Sequence, residues 1–216
     1  MIRAVFFDLD GTLADTALDL GGALNQMLRQ EDRPQLAAEQ LRPHVSGGAR
    51  ALLKLGFGIL PDDPDYPARQ QRFLDIYTDR LCQETTLFPG MNELLLNLEQ
   101  RSILWGIVTN KAQRFTAPLV TGLGLTERSA AIVSGDSAPK AKPAPDTLLL
   151  ACQQAGVAPG QCIYVGDDLR DVQAGQAAGM GTVIAAWGYL GDGLPIEQWG
   201  GDHIVRHPSE ILDLLG

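Results

Sequence analysis

Ala4-Val5-Phe6-Phe7-Asp8-Leu9-Asp10-Gly11-Thr12 opens the chain with four apolar residues that run directly into two carboxylates and a glycine. An unbroken apolar run of this length is the pattern of a strand buried on both faces, and Gly11 suits the tight turn that follows it. Side chains alternate along an extended segment, so Asp8 and Asp10 leave it on one side and Leu9 on the other. Two carboxylates so placed repel each other unless a cation sits between them. Thr12 adds a hydroxyl. Taken alone, the segment also reads as an ordinary polar junction, since Asp and Gly are common turn formers.

Outward from this stretch, similar apolar runs recur at Leu104–Val108, Ala131–Val133, Cys162–Val165 and Thr182–Ala185, with a weaker one at His203–Val205. Helical periodicity fills the gaps: Met91, Leu94, Leu95 and Leu98 share one face, as do Phe115, Leu119 and Leu123, and Asp146–Ala155 and Asp171–Ala178 also read as helices. Strands alternating with helices predict an α/β fold, a parallel sheet flanked by helices. From Thr16 to Glu84 the alternation stops. Leu20, Leu24, Met27 and Leu28 mark one helix there and Phe73, Ile76, Tyr77 and Leu81 another, with a Pro61–Asp65 loop between them. The pattern resumes at Phe88-Pro89-Gly90. The expected division is a catalytic core of residues 1–15 and 86–216 carrying an all-helical cap, residues 16–85, inserted after the first strand.

The 216 residues are 45% hydrophobic and 20% charged, enough for a full core and against disorder. A net charge of -9 argues against a nucleic-acid or anionic-membrane surface. Any anionic ligand must be met by a few local cations, a metal or backbone amides. Cys82, Cys152 and Cys162 are too scattered for a disulfide framework or thiolate metal site, and read as buried thiols in a reducing compartment. The apolar start reaches Asp8 too soon for a signal-peptide core, and no stretch is long enough to span a bilayer, so the expected setting is the cytoplasm.

Three further strand ends carry polar groups. Val165-Gly166-Asp167-Asp168-Leu169-Arg170-Asp171 presents three acids; one is expected to cap the following helix, a role assigned mainly to Asp171. Asp167, at the strand end itself, is placed to complete an oxygen-rich site with Asp8, and a donor set of oxygens selects magnesium over zinc. Thr109-Asn110-Lys111 delivers a hydroxyl, an amide and a cation, although Thr109 also reads as a helix cap. In Lys140-Ala141-Lys142-Pro143-Ala144-Pro145, Pro143 pushes Lys142 toward an extended conformation, so Lys142 is favoured over Lys140 as a lysine aimed at a fixed target. All these clusters fall at the C-terminal ends of parallel strands, where open α/β sheets bind ligands.

The succession Asp8-x-Asp10-Gly11-Thr12, Thr109-Asn110, Lys142-Pro143 and Gly166-Asp167-Asp168 resembles the haloacid-dehalogenase superfamily of phosphatases over essentially the whole chain, including the position of the helical insertion. The resemblance implies a Rossmann-like core. It implies Asp8 as nucleophile, forming an aspartyl-phosphate, and Asp10 as the acid that protonates the leaving alcohol and then activates water. Mg2+ would be held by Asp8, the backbone carbonyl of Asp10 and Asp167. Thr109, Asn110 and Lys142 would bind the phosphate, with Gly11, Thr12, Asp168 and Asp171 in support. In Val45-Ser46-Gly47-Gly48-Ala49-Arg50, in Leu104-Trp105-Gly106 to Arg114-Phe115 and in Trp199-Gly200 through His207-Pro208, the chain resembles the phosphoglycolate phosphatase group within the superfamily, and more closely the N-acetylmuramic acid 6-phosphate phosphatases of bacterial cell-wall recycling. Both substrates carry a carboxylate besides the phosphate. The cap segment Ser46-Gly47-Gly48-Ala49-Arg50 is the expected reader of that group: Arg50 through a bidentate pair, the Gly47 and Gly48 amides at the start of the next helix. The bland alternative places Arg50 on a solvated helix face.

The expected partner is therefore a small phosphate ester, with no nucleic acid and no membrane. A phosphomutase shares the core chemistry, but no cap feature requires one. A dehalogenase has no need of Asp10 as acid and base. A silent phosphate-binding regulatory module has little use for a nucleophile beside an acid, and no Gly-x-Gly-x-x-Gly follows the first strand as a dinucleotide-binding protein requires.

Overall fold

The computed structural model describes residues 1–191 and 193–215. In chain order its elements are β1 (Ala4–Phe7), β2 (Ala14–Asp15), α1 (Ala17–Gln30), α2 (Ala38–Leu41), a 3-10 turn over Arg42–Gly47, α3 (Gly48–Phe57), α4 (Tyr66–Arg80), β3 (Thr86–Leu87), α5 (Met91–Gln100), β4 (Leu104–Val108), α6 (Gln113–Gly122), β5 (Ile132–Val133), α7 (Asp146–Ala155), β6 (Cys162–Gly166), α8 (Leu169–Ala178), β7 (Gly181–Ala185) and β8 (His203–Val205).

Six strands form one sheet in the order β5-β4-β1-β6-β7-β8, and every pairing in it is parallel. The chain winds outward from β1 through β4 to β5, then returns to lay β6 on the other side of β1. That reversal leaves a crevice beyond the C-terminal ends of β1, β4 and β6, the place where open α/β sheets hold ligands. Alternation along β1 sets the two layers. Val5 and Phe7 enter a core shared with α5 and α6, whereas Ala4 and Phe6 enter a second shared with α7 and α8. Phe6 and Phe7 are fully buried, each stabilising the fold by roughly 1.5–3 kcal/mol.

The helical segment is bracketed by β2 and β3, which pair antiparallel as a two-stranded ribbon. These strands are only two residues each, too short for a periodic signal, and their pairing joins segments far apart in sequence. The buried Asp19 of α1 reinforces the ribbon by accepting from the Glu84 and Thr85 amides and the Thr85 hydroxyl. Leu20, Leu24, Met27 and Leu28 pack with Phe73, Ile76 and Tyr77 as the periodicity requires, while Leu81 falls just beyond the end of α4. Cys152 and Cys162 are buried free thiols; Cys82 is only half-buried. Among the described residues, no helix is long and apolar enough to cross a membrane.

Candidate active site

A cavity of about 350 Å³ lies between the strand ends and the helical segment. Asp8, Asp10, Thr109, Asn110, Lys142, Asp168 and Asp171 line it from the sheet side; Ser46, Gly47 and Gly48 line it opposite. Four segments far apart in the chain thus meet at one point because their strands are neighbours.

Lys142 is the hub. Its Nζ lies 2.9 Å from Asp8 Oδ1, 2.6 Å from Asp171 Oδ1 and 2.7 Å from the Tyr164 hydroxyl, and is almost fully buried. Burial alone would lower the Lys142 pKa, but Asp171 and Asp8 more than offset it and keep the ammonium charged. Asp8 is pushed up to about 7 by burial, against the opposing pull of Lys142. The loop carrying Lys142 is fixed by Asn110, whose carboxamide accepts from the Lys142 amide and donates to its carbonyl, each at 2.9 Å. The Asn110 side chain expected on phosphate is therefore engaged in orienting the lysine. Thr109 is buried, and its hydroxyl oxygen accepts from the Lys111 amide at 3.2 Å, leaving the hydroxyl proton free for a ligand.

Asp10 is held by two donors on the same oxygen. Thr16 Oγ1 donates to Asp10 Oδ1 at 2.7 Å and Lys111 Nζ does so at 2.9 Å. Oδ2 has no partner among the described residues. Lys111 also sits 4.9 Å from the centre of the Tyr77 ring. Burial would lower the Lys111 pKa, but Asp10 and Tyr77 outweigh it and hold it above the ordinary range. Thr16 and the Lys111 pairing were not expected, since nothing local in the sequence says which carboxylate a lysine will meet.

Asp167 is fully buried, accepting from the Thr12 hydroxyl at 2.8 Å, the Tyr189 amide at 2.9 Å and the Ser46 hydroxyl at 3.2 Å. Burial, then the charges of Asp8 and Asp171, push its pKa well up. It has no cationic partner among the described residues, and oxygens of Asp8, Asp167 and Asp171 lie within 4.8 Å of one another. A buried, unneutralised carboxylate in an all-oxygen cluster suits a hard divalent cation. Gly11 permits this closeness. Its φ is +88°, and a Cβ there would land on the Asp167 carboxylate.

The helix cap is distributed differently from expectation. Asp168 is the N-cap of α8, its Oδ1 accepting from the Arg170 amide at 2.9 Å, and Asp171 answers by accepting from the Asp168 amide at 3.0 Å. Asp171 thus caps with one oxygen and holds Lys142 with the other, whereas Asp168 faces Arg170. Burial would raise the Asp168 pKa, but that guanidinium more than offsets it. Arg170 also donates to the Ser46 carbonyl at 2.9 Å, joining the sheet end to the helical segment.

Arg50 departs from expectation. It is exposed, outside the cavity lining, and close enough to Tyr66 to influence its hydroxyl. Gly48 starts α3 at φ +58°, ψ -151°, a conformation essentially reserved for glycine, and turns Ser46–Ala49 toward the cavity. At 100° per residue Arg50 then rotates away.

A parallel sheet with a helical insertion after its first strand, and two lysine-paired carboxylates at the end of that strand, define a class. The chain belongs to the haloacid dehalogenase-like hydrolases, whose family description, "Haloacid dehalogenase-like hydrolase", matches residues 5–185. It is 40% identical over 214 residues to the N-acetylmuramic acid 6-phosphate phosphatase of Pseudomonas aeruginosa, covering 99% of this chain and 95% of that one. It is 43% identical over 210 residues to a phosphoglycolate phosphatase of Xanthomonas campestris pv. campestris, covering 97% and 94%. Among solved structures, a predicted phosphoglycolate phosphatase from Haemophilus somnus superposes with a TM-score of 0.86 at 26% identity, covering 100% of this chain and 98% of that one.

Proposed function

We propose that this chain hydrolyses a phosphomonoester through an aspartyl-phosphate on Asp8, with the helical segment 16–85 acting as a cap over the core. The observation that carries the reading is the Lys142 bridge between Asp8, at the end of β1, and Asp171, in the first turn of α8. It fixes a carboxylate for in-line attack and places a positive charge where phosphoryl oxygens gather.

Asp8 attacks phosphorus and the ester P–O bond breaks, while Asp10 gives a proton to the departing oxygen. Water, deprotonated by Asp10, then attacks the phosphorus of the aspartyl-phosphate, releasing phosphate and restoring Asp8. Thr16 and Lys111 hold Asp10 Oδ1, so Oδ2 handles the proton. Thr109 and Lys142 bind phosphoryl oxygens, and Asn110 keeps Lys142 in register. Asp8, Asp167 and the Asp10 carbonyl suit Mg2+; Asp171, with both oxygens engaged by Lys142 and the Asp168 amide, supports them. Magnesium bound there supplies positive charge that favours ionised Asp8 and offsets the phosphate's charge.

The favoured substrate is N-acetylmuramic acid 6-phosphate. Leu20, Val45, Phe73 and Leu74 give the cavity an apolar wall facing the charged strand ends, suited to a ligand whose body extends well beyond its phosphate. The 43% identity to a phosphoglycolate phosphatase favours 2-phosphoglycolate as the second reading. The test is phosphate release, with and without Mg2+, from both compounds and common sugar phosphates at matched concentrations in a cytoplasm-like buffer. Release from the muramic compound well above the rest supports the assignment; a higher kcat/KM on 2-phosphoglycolate rejects it, and release from none rejects the phosphatase.

A further inference from the structure

Four cations line the cavity: Lys111, Arg114, Lys142 and Arg170. Three are engaged. Lys111 is paired with Asp10, Lys142 with Asp8 and Asp171, and Arg170 with Asp168. Arg114, among the described residues, makes neither a hydrogen bond nor an ion pair with any neighbour. It is exposed yet lines the cavity, which places it at the solvent-facing edge.

Its guanidinium is nonetheless positioned. The Arg114 Cζ lies 4.6 Å from the centre of the Phe115 ring, which stands 5.6 Å from the Tyr77 ring, which in turn lies under Lys111. This chain of cation, two mutually tilted aromatic rings and cation runs along the cavity wall, from its edge to the partner of Asp10. Stacking on a ring face limits the freedom of the guanidinium while leaving its N–H fork open. Tyr77 and Phe115 both line the cavity, so the rings that hold Arg114 belong to its wall.

We propose that Arg114, a residue of the sheet-side helix α6 and not of the helical segment, determines specificity by pairing with a carboxylate on the alcohol portion of the substrate. The inference rests on the phosphatase reading above and adds to it the group that selects among phosphate esters. The geometry separates the work: Lys142 and Asp8 take the phosphate, the apolar wall takes the body, and Arg114 takes the second anion at the far edge. A guanidinium is the side chain best matched to a carboxylate, because its fork makes two parallel charge-assisted hydrogen bonds.

The test compares matched esters with and without the carboxylate: N-acetylmuramate 6-phosphate against N-acetylglucosamine 6-phosphate, and 2-phosphoglycolate against ethyl phosphate. Removing a charge-assisted pair predicts that Arg114→Ala lowers the kcat/KM ratio within the pair that wild type turns over by about ten- to a hundredfold, through KM. Arg114→Lys should retain part of the preference. An equal loss on both members, or an unchanged ratio, overturns the inference while leaving the phosphatase reading intact. Wild type that prefers the carboxylate-free member overturns it as well. Wild type that hydrolyses none of the four overturns the reading and the inference together. Because Arg114 is exposed, thermal midpoints of the variants should match wild type, which separates a lost contact from a lost fold.

Discussion

The two walls of the cavity are built on opposite principles. At the strand ends, charged groups are packed at 2.6–2.9 Å and almost every side chain has two or more partners. On the facing wall the helical segment offers Leu20, Val45, Phe73 and Leu74, and its polar approaches to the strand-end carboxylates are few: Thr16 on Asp10 and Ser46 on Asp167. A densely connected wall can do chemistry, because its groups hold one another in place. A sparse apolar wall can select by shape and tolerates change. The contrast predicts that substitutions on the two walls differ in kind as well as in size, with Arg114 of α6 the exception on the sheet side.

The largest effect belongs to Asp8. Asp8→Asn should reduce phosphate release by at least about a thousandfold while the thermal midpoint stays near wild type, because a nucleophile is lost and the shape is kept. Next comes Lys111. Lys111→Met leaves Asp10 held by Thr16 alone, and kcat should fall about ten- to a hundredfold with little change in KM, the signature of a group acting in the transition state. A change confined to KM would break the division between walls.

Metal binding sharpens the same contrast through pH. Asp8 is raised from an ordinary 3.8 to about 7, so the folded protein keeps a proton there that the unfolded chain has lost. The stabilising contribution of that proton is complete below about pH 4 and is lost as pH rises through 7. A divalent cation competes with the proton. The stabilisation on adding Mg2+, read as a shift in thermal midpoint, should therefore be larger at pH 8 than at pH 5.5, where a hundredfold excess over Kd at the higher pH corresponds to about 2–3 kcal/mol, and chelation should abolish activity reversibly. Equal shifts at both pH values would contradict the assignment of Asp8 to the metal.

Smaller effects are expected on the facing wall. Gly48→Ala forces a side chain into a conformation essentially reserved for glycine and should cost about 1–3 kcal/mol of stability, read by denaturant titration. Arg50→Ala should change stability by less than about 0.5 kcal/mol and leave KM within twofold, since Arg50 is exposed and outside the cavity.

The last two residues show where sequence reading stops. Strands such as Leu104–Val108 and Cys162–Val165 are legible because an apolar run ending in a polar group is a local pattern; the structure extends the second to Gly166, and these strand ends bring Asp8, Thr109 and Asp167 near one another. The pairing of Lys111 with Asp10, and of Lys142 with Asp171 as well as Asp8, depends on which strands become neighbours, and no spacing encodes it. The facing wall was harder still. The Gly48 conformation, between the 3-10 turn over Arg42–Gly47 and α3, sets the phase, so Ser46 faces the site and Arg50 does not; of the cations lining the cavity, the one without a partner among the described residues is Arg114 on α6. Only a census of partners in space distinguishes an engaged arginine from a free one.

The central claim is that Asp8 carries the phosphoryl group between two displacements. The direct measurement is a rapid acid quench during turnover of phosphate-labelled substrate, followed by peptide mapping. Label is expected on the peptide containing Asp8, released by hydroxylamine and absent from Asp8→Asn. Full turnover with no label on that peptide, or undiminished phosphate release by Asp8→Asn, would contradict it.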